Sequence, residues 1–269
     1  MKTNIKIQFE SFYNTPDLFS KLENIEQFIF EEISYKDKNY ADFEIIQKLP
    51  LGKRVEYFFE EYIKHSSRYN LIHKNIQVIE DKNTLGEIDF ILFDKVKNSF
   101  LHAELVYKFY LYDENFEKEI DRYIGPNRDD SLVKKLNKLK TKQFPLLFKE
   151  KTMEMLYDID LKNIYQNTCF KANIFLPYKK HVDVSLINKA CIKGFYINIE
   201  DFKKQENFKK YKYFLPHRYD WIVSAKINKT WKAYEEIQEE IQIFLDLKKS
   251  PLVWLKKDDR YEEFFITWW

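Results

Sequence analysis

The chain holds 269 residues, 45% of them hydrophobic and 18% aromatic, enough to fill one large domain or a domain with an appendage. Charged residues make up 33%, yet the net charge is only +2, so any nucleic-acid footprint must be local and not a global basic field. Cys169 and Cys191 offer neither a zinc cluster nor a disulfide framework. The stretch MKTNIKIQFESF lacks the apolar run of a secretory signal, and no later stretch stays apolar for the ~20 residues of a membrane span. The expectation is a cytoplasmic protein with no membrane partner.

In chain order, a YNTPDLF turn precedes a predicted helix over Asp17–Ser34, where Leu18, Leu22, Ile25, Phe28 and Ile29 recur at roughly helical spacing. A second helix is predicted over Leu51–His65, with Val55, Phe58, Phe59 and Tyr62 on its apolar face. Glu56 sits among Val55, Phe59 and Ile63 and is its candidate inward-pointing acid, whereas Glu60 reads as solvated. Lys74–Glu80 is a short strand. Two strands follow, Glu87–Phe93 and Phe100–Leu111, rich in β-branched and aromatic residues and joined by the polar turn Asp94–Ser99.

Alternation puts Glu87, Asp89, Ile91 and Phe93 on one face of the first strand, and His102, Glu104, Val106 and Lys108 on one face of the second. A hairpin folded about the middle of its turn sets Asp89 opposite Glu104. Directly opposed side chains have Cβ atoms ~5 Å apart, so two carboxylates there repel and call for a cation. An Asp and a Glu on adjacent strands are oxygen ligands suited to Mg2+ or Mn2+. A half-solvated edge hairpin would show the same alternation, so the surface reading stands beside the metal reading.

Beyond the hairpin, Gly125-Pro126-Asn127 forms a turn, and Asp129 or Asn127 can cap a helix over Asp130–Gln143 that Pro145 closes. Leu132, Val133, Leu136 and Leu139 form its buried face, and Lys134, Lys135, Lys138, Lys140 and Lys142 crowd the rest. Such a face is usually just solvated, but following an acidic hairpin it can touch phosphate. With only four glycines, Gly52, Gly86 and Gly125 mark tight joints where positive φ or close approach is needed. The last third reads as strands Ala172–Pro177, Ile192–Ile199 and Tyr211–Val223, a helix Trp231–Leu247, and a strand pair folded about Lys257–Arg260. No Gly-rich phosphate loop, GxSxG or HExxH is present. Among the five histidines His102 stands out, because alternation places it beside Glu104.

The segments TLGEIDF, HAELVYKFYL, GPNRDDSLVKKL and Gln143, with the LGKRVE helix, the TPDLF turn and a late PLVW, resemble a bacterial family of unknown function, the one numbered 1853. That family is similar to a branch of the PD-(D/E)xK nucleases, whose core runs helix, three strands, helix, strand. The resemblance implies an α/β fold with a PD-(D/E)xK, restriction-endonuclease-like core in residues 1–150 and a β-rich C-terminal part in residues 151–269. It implies a Mg2+- or Mn2+-dependent nuclease acting on nucleic acid, DNA first, with Asp89, Glu104 and Glu56 as metal-site acids and Lys108 as catalytic lysine. Lys134, Lys138, Lys142, Gln143 and Asn127 would then contact nucleic acid. The superfamily places its lysine two residues after the glutamate, where this chain has Val106, and Lys108 keeps the same face but lies ~7 Å further along the strand than that position. The alternative is a catalytically inactive nuclease-fold module that binds nucleic acid or a protein partner.

Overall fold

The computed structural model describes residues 4–34 and 49–269. In chain order these form α1 (Ile5–Asn14), the short strands β1 (Lys21–Leu22) and β2 (Ile25–Glu26), α2 (Leu51–His65), and three long strands, β3 (Tyr69–Glu80), β4 (Asn83–Asp94) and β5 (Ser99–Tyr112). Then come β6 (Tyr123–Ile124), α3 (Leu132–Lys138), a π-helical turn (Leu139–Gln143), α4 (Phe144–Leu146), α5 (Glu150–Met155) and β7 (Tyr165–Pro177). The remainder holds β8 (Ile192–Asn198), α6 (Ile199–Lys204), β9 (Lys212–Phe214), α7 (Tyr234–Asp246), β10 (Leu252–Lys257) and β11 (Arg260–Thr267).

One mixed sheet of nine strands organises these elements in the order β3-β4-β5-β7-β8-β11-β10-β9, with β6 beside β5. The β3–β4–β5 meander is antiparallel, and β7 runs parallel to β5 along most of its length, from Leu101↔Tyr165 to Leu111↔Phe175. The sheet therefore continues without a break from the first half of the chain into the second. α1 and α2 cover one face: Phe58, Phe59 and Tyr62 of α2 pack with Phe9 and Phe12 of α1 and with Phe90, Leu92, Leu101 and Ala103 of the hairpin. On the other face, Leu132, Leu136 and Leu139 pack on Val106 and Tyr110, and Leu146 and Leu147 pack on Val78, Ile88 and Ile91.

The helix expected over Asp17–Ser34 is absent. Glu23 and Asn24, both with positive φ, form a two-residue turn that sets Leu22 opposite Ile25. A spacing of three across such a turn imitates a helical repeat. Instead the segment lies along the edge of β7 that β8 does not reach, where the Leu18 amide donates to the Phe170 carbonyl (2.9 Å) and the Phe28 amide to the Thr168 carbonyl (2.8 Å). The helix of this region is α1, whose buried Ile5, Phe9 and Phe12 are spaced four and three.

Other expectations shift by smaller amounts. Ser131, and not Asn127 or Asp129, caps α3 by accepting the Lys134 amide. Val133, at 36% exposure, lies off the buried face. The helix runs past Pro145 by way of the π turn, and the predicted strand Tyr211–Val223 shortens to β9 before Pro216 and a 3-10 turn. None of the described glycines has a positive φ. Gly86 serves close approach, since a Cβ there would sit 2.7 Å from a Leu146 methyl, and this lets the α4 region press onto β4.

The hairpin register matches the sequence expectation, pairing Asp94↔Ser99 through Phe90↔Ala103. Asp94 sets it. Its buried carboxylate accepts Nε and Nη2 of Arg68 (2.9 and 2.7 Å), the Tyr165 hydroxyl (2.5 Å) and the turn amides of Val96 and Lys97 (2.9 and 3.2 Å). Burial alone would raise this carboxyl, but its hydrogen bonds to Arg68 and Tyr165 overcome that and hold it down to about 2. Asp94→Ala leaves Arg68 buried without its partner and should cost about 3–5 kcal/mol in urea unfolding; a loss below about 1 kcal/mol would show that the register is held elsewhere.

Candidate metal centre

Below Phe90↔Ala103 the regular ladder between β4 and β5 ends, and the next facing pair is Asp89 and Glu104. The Leu105 amide, which a continued ladder would pair with backbone, donates instead to Asp89 Oδ2 at 2.9 Å. Across β3, Asn75 stands at this level with a φ of 52°, in the left-handed region that Asn tolerates. Side-chain facing changes here. Glu87 pairs with Lys53 of α2 at 3.6 Å, while Ile88 and Ile91 both pack under Leu146 and Leu147. Strict alternation over Glu87–Phe93 thus fails at one point, and that point is Asp89.

Glu104 is fully buried and surrounded by donors. His102 Nε2 stands 2.9 Å from Oε1, Gln143 Nε2 donates to Oε2, and the Asp89 amide and carboxyl both lie within hydrogen-bonding reach. Gln166 Nε2 donates to His102 Nδ1 (2.9 Å) and to the Phe144 carbonyl (2.9 Å). That network assigns His102 the tautomer with its proton on Nε2, donated to Glu104. Burial pushes the ring down to about 4, so it is neutral at pH 7. Gln143 reaches Glu104 because the π turn bonds the Phe144 amide five residues back to Leu139, and Pro145 has no amide to restore the α register.

Burial, and then the Glu104 charge, push the Asp89 carboxyl up to about 7. Glu104 is likewise raised by burial, against the pull of Lys135. Two such groups titrate as a pair. Glu56 lies further out. It is half-buried, held by Lys53 (2.9 Å) and by Asn75 Nδ2 (3.3 Å), and burial raises its pKa.

The expected site residues divide between two clefts. Asp89, Gln143, Lys138 and Lys142 line one of ≈ 310 Å³, floored by Gly86 and Leu146. Glu56, Lys108 and Asn127 line another of ≈ 610 Å³, with Lys53, Arg218 and Trp221. Lys108 Nζ lies 2.6 Å from Asp130 Oδ2, and Asn127 Oδ1 accepts the Ser250 amide at 2.9 Å. Lys134 Nζ donates to the Asp129 carbonyl (3.3 Å) and faces a separate groove beside Glu23 and Lys140. Missing from the sequence reading of the site is Lys135, whose Nζ donates to Gln143 Oε1 at 2.8 Å. It lies eight residues before Gln143, about two helical turns, and that spacing is the signal that could have found it.

Among the described residues no group of three His, Cys, Asp or Glu side chains is arranged to hold a metal ion. Mg2+ is usually held by one or two carboxylates, with water and substrate oxygens completing its shell. Asp89 and Glu104, two oxygen donors whose mutual repulsion an ion would relieve, fit that pattern. The sequence profile of one family, described as a domain of unknown function (DUF1853), matches residues 21–262. The chain belongs to the DUF1853 family. No curated protein and no solved structure was found to match this DUF1853 chain. Among the described residues no helix is long and apolar enough to cross a membrane.

A raised carboxyl pKa means that from about pH 4 to about 7 the folded protein holds a proton that the unfolded chain has released, so this contribution to stability falls as pH rises. Asn at position 89 can still accept the Leu105 amide and can donate to Glu104. Asp89→Asn should therefore gain thermal stability relative to the metal-free wild type between pH 5 and pH 8. An equal loss at both pH values would mark Asp89 as an ordinary structural hydrogen-bond partner.

Proposed function

We propose that this DUF1853 protein is a Mg2+- or Mn2+-dependent nuclease with a PD-(D/E)xK core, hydrolysing phosphodiester bonds in nucleic acid, DNA first. The observation that carries this reading is the Asp89–Glu104 pair, set where β4 and β5 part with Glu104 fully and Asp89 half buried, and still short of positive charge. The element order α2–β3–β4–β5–α3–β7, with β7 parallel to β5, supports the nuclease-like core. On this reading residues 1–150 hold most of that core, residues 151–269 extend its sheet, and the protein works in the cytoplasm, where the free thiols of Cys169 and Cys191 persist.

Asp89 and Glu104 would hold the ion, and Glu56 would add negative charge from α2. A divalent ion bound there supplies a water of lowered pKa and neutralises charge on the phosphate. In the reaction a water oxygen bonds to phosphorus as the bond to the leaving oxygen breaks. One proton goes to solvent and one is taken up by the leaving oxygen. His102 and Gln143 keep the Glu104 carboxylate in a fixed orientation. Lys138 and Lys142 line the cleft beside Asp89 as phosphate contacts, and Lys108 and Asn127 offer further contacts in the neighbouring cleft.

Val106 in place of a strand lysine, together with the donors already on both Glu104 oxygens, favours as second reading a binding module that retains the fold. Two measurements on one preparation separate them. For the nuclease, Mg2+ or Mn2+ should raise the unfolding temperature of the wild type and not of Asp89→Asn, because a ligand of the native state alone stabilises it. Cleavage of a DNA or RNA oligonucleotide should fall about a hundredfold or more in Glu104→Gln. A wild type that binds oligonucleotides with a steep salt dependence, and cleaves none with either ion, would favour the binding module.

A further inference from the structure

We propose that Lys135 supplies the ammonium group of the Asp89–Glu104 centre, placed from the helix to meet a phosphate oxygen that no lysine of the strand reaches. This inference rests on the nuclease reading above and adds to it the residue that handles the substrate's charge. The strand offers two positions and neither serves. Val106 is buried in the apolar cluster of Tyr110, Leu132 and Leu136. Lys108 is clasped by Asp130 at 2.6 Å and lines the cleft that Asp89 does not.

Lys135 differs from the other lysines of its helix. Lys134, Lys138, Lys140 and Lys142 are exposed, whereas Lys135 is half-buried. An ammonium has three donors. Among the described residues Lys135 Nζ has one hydrogen-bond acceptor, Gln143 Oε1 at 2.8 Å, and no carboxylate within ion-pairing distance. That acceptor belongs to the side chain whose amide donates to Glu104. The ammonium is thus positioned through one residue on the metal-site acid, with donor capacity left over. Burial weakens its hold on its proton, while the nearby Glu104 and Asp89 charges strengthen it. A phosphodiester has the acceptor oxygens and the negative charge that this group lacks, and brought to the ion it would meet both. Lys135, Lys138 and Lys142, spaced three and four, would then follow the phosphate backbone along one stripe, with Lys135 innermost.

The test compares wild type, Lys135→Met and Lys140→Met, the last removing a lysine paired with Glu23 in the adjoining π turn. Mn2+ is titrated at pH 8.5 against heat stability, and cleavage of a DNA oligonucleotide is read on the same samples. Losing a positive charge next to the ion should tighten Mn2+ binding severalfold in Lys135→Met, whereas loss of a merely structural side chain would loosen it. Cleavage should fall about a hundredfold in the same variant, with Lys140→Met behaving as wild type in both. A wild type unaffected by Mn2+ would sink the metal reading and this proposal with it. A wild-type Mn2+ response that Lys135→Met leaves unchanged would overturn the assignment of Lys135 alone. Should the wild type bind Mn2+ and cleave no oligonucleotide, the nuclease reading fails and the affinity comparison decides whether Lys135 is the cation of the centre.

Discussion

Asp94 is the constraint on which the site depends. One buried carboxylate gathers Arg68 ahead of β3, the turn amides after β4 and the Tyr165 hydroxyl at the start of β7. Because strand side chains alternate with a period of two, a slip of one residue in the β4–β5 register would send Asp89 and Glu104 to opposite faces of the sheet. The fixed pairing of Asp94 with Ser99 is therefore what brings two acids together at the far end of the hairpin. Charge is secured at one end of the hairpin and left in excess at the other.

That excess is managed rather than relieved. Glu104 takes neutral donors, His102 and Gln143, and Asp89 takes one backbone amide. Neutral hydrogen bonds orient a carboxylate without cancelling its charge, and both groups still hold protons far above their ordinary range. Lys135 is close enough to pull on both but pairs with neither. A site built this way gains from any cation that enters.

Much of this was legible in the sequence, and the reasons differ by element. α2 spans Leu51–His65 as the apolar stripe predicts, and the hairpin register follows from the symmetry of its turn. Both signals are local. The helix predicted over Asp17–Ser34 was lost to a two-residue turn whose spacing imitates one helical turn, and its segment is shaped by the open edge of β7, over a hundred residues away. Alternation sets Lys108 on the face of Glu104, but its clasp on Asp130 is a tertiary event with no sequence signature. Lys135 is hidden from the sequence for a physical reason too. One lysine among five on a helix looks solvated until Gln143, turned inward by a π turn before Pro145, draws it in.

The most direct test of the central claim is crystallographic. Crystals grown or soaked with Mn2+ at pH 8, measured at the manganese absorption edge, would give an anomalous difference map that locates the ion without bias. A single peak should fall within about 2.5 Å of carboxylate oxygens of both Asp89 and Glu104, with Gln143 drawn away from Glu104 Oε2. A peak bound only by other residues, or none at Asp89 under conditions that saturate exposed carboxylates, would contradict the metal centre.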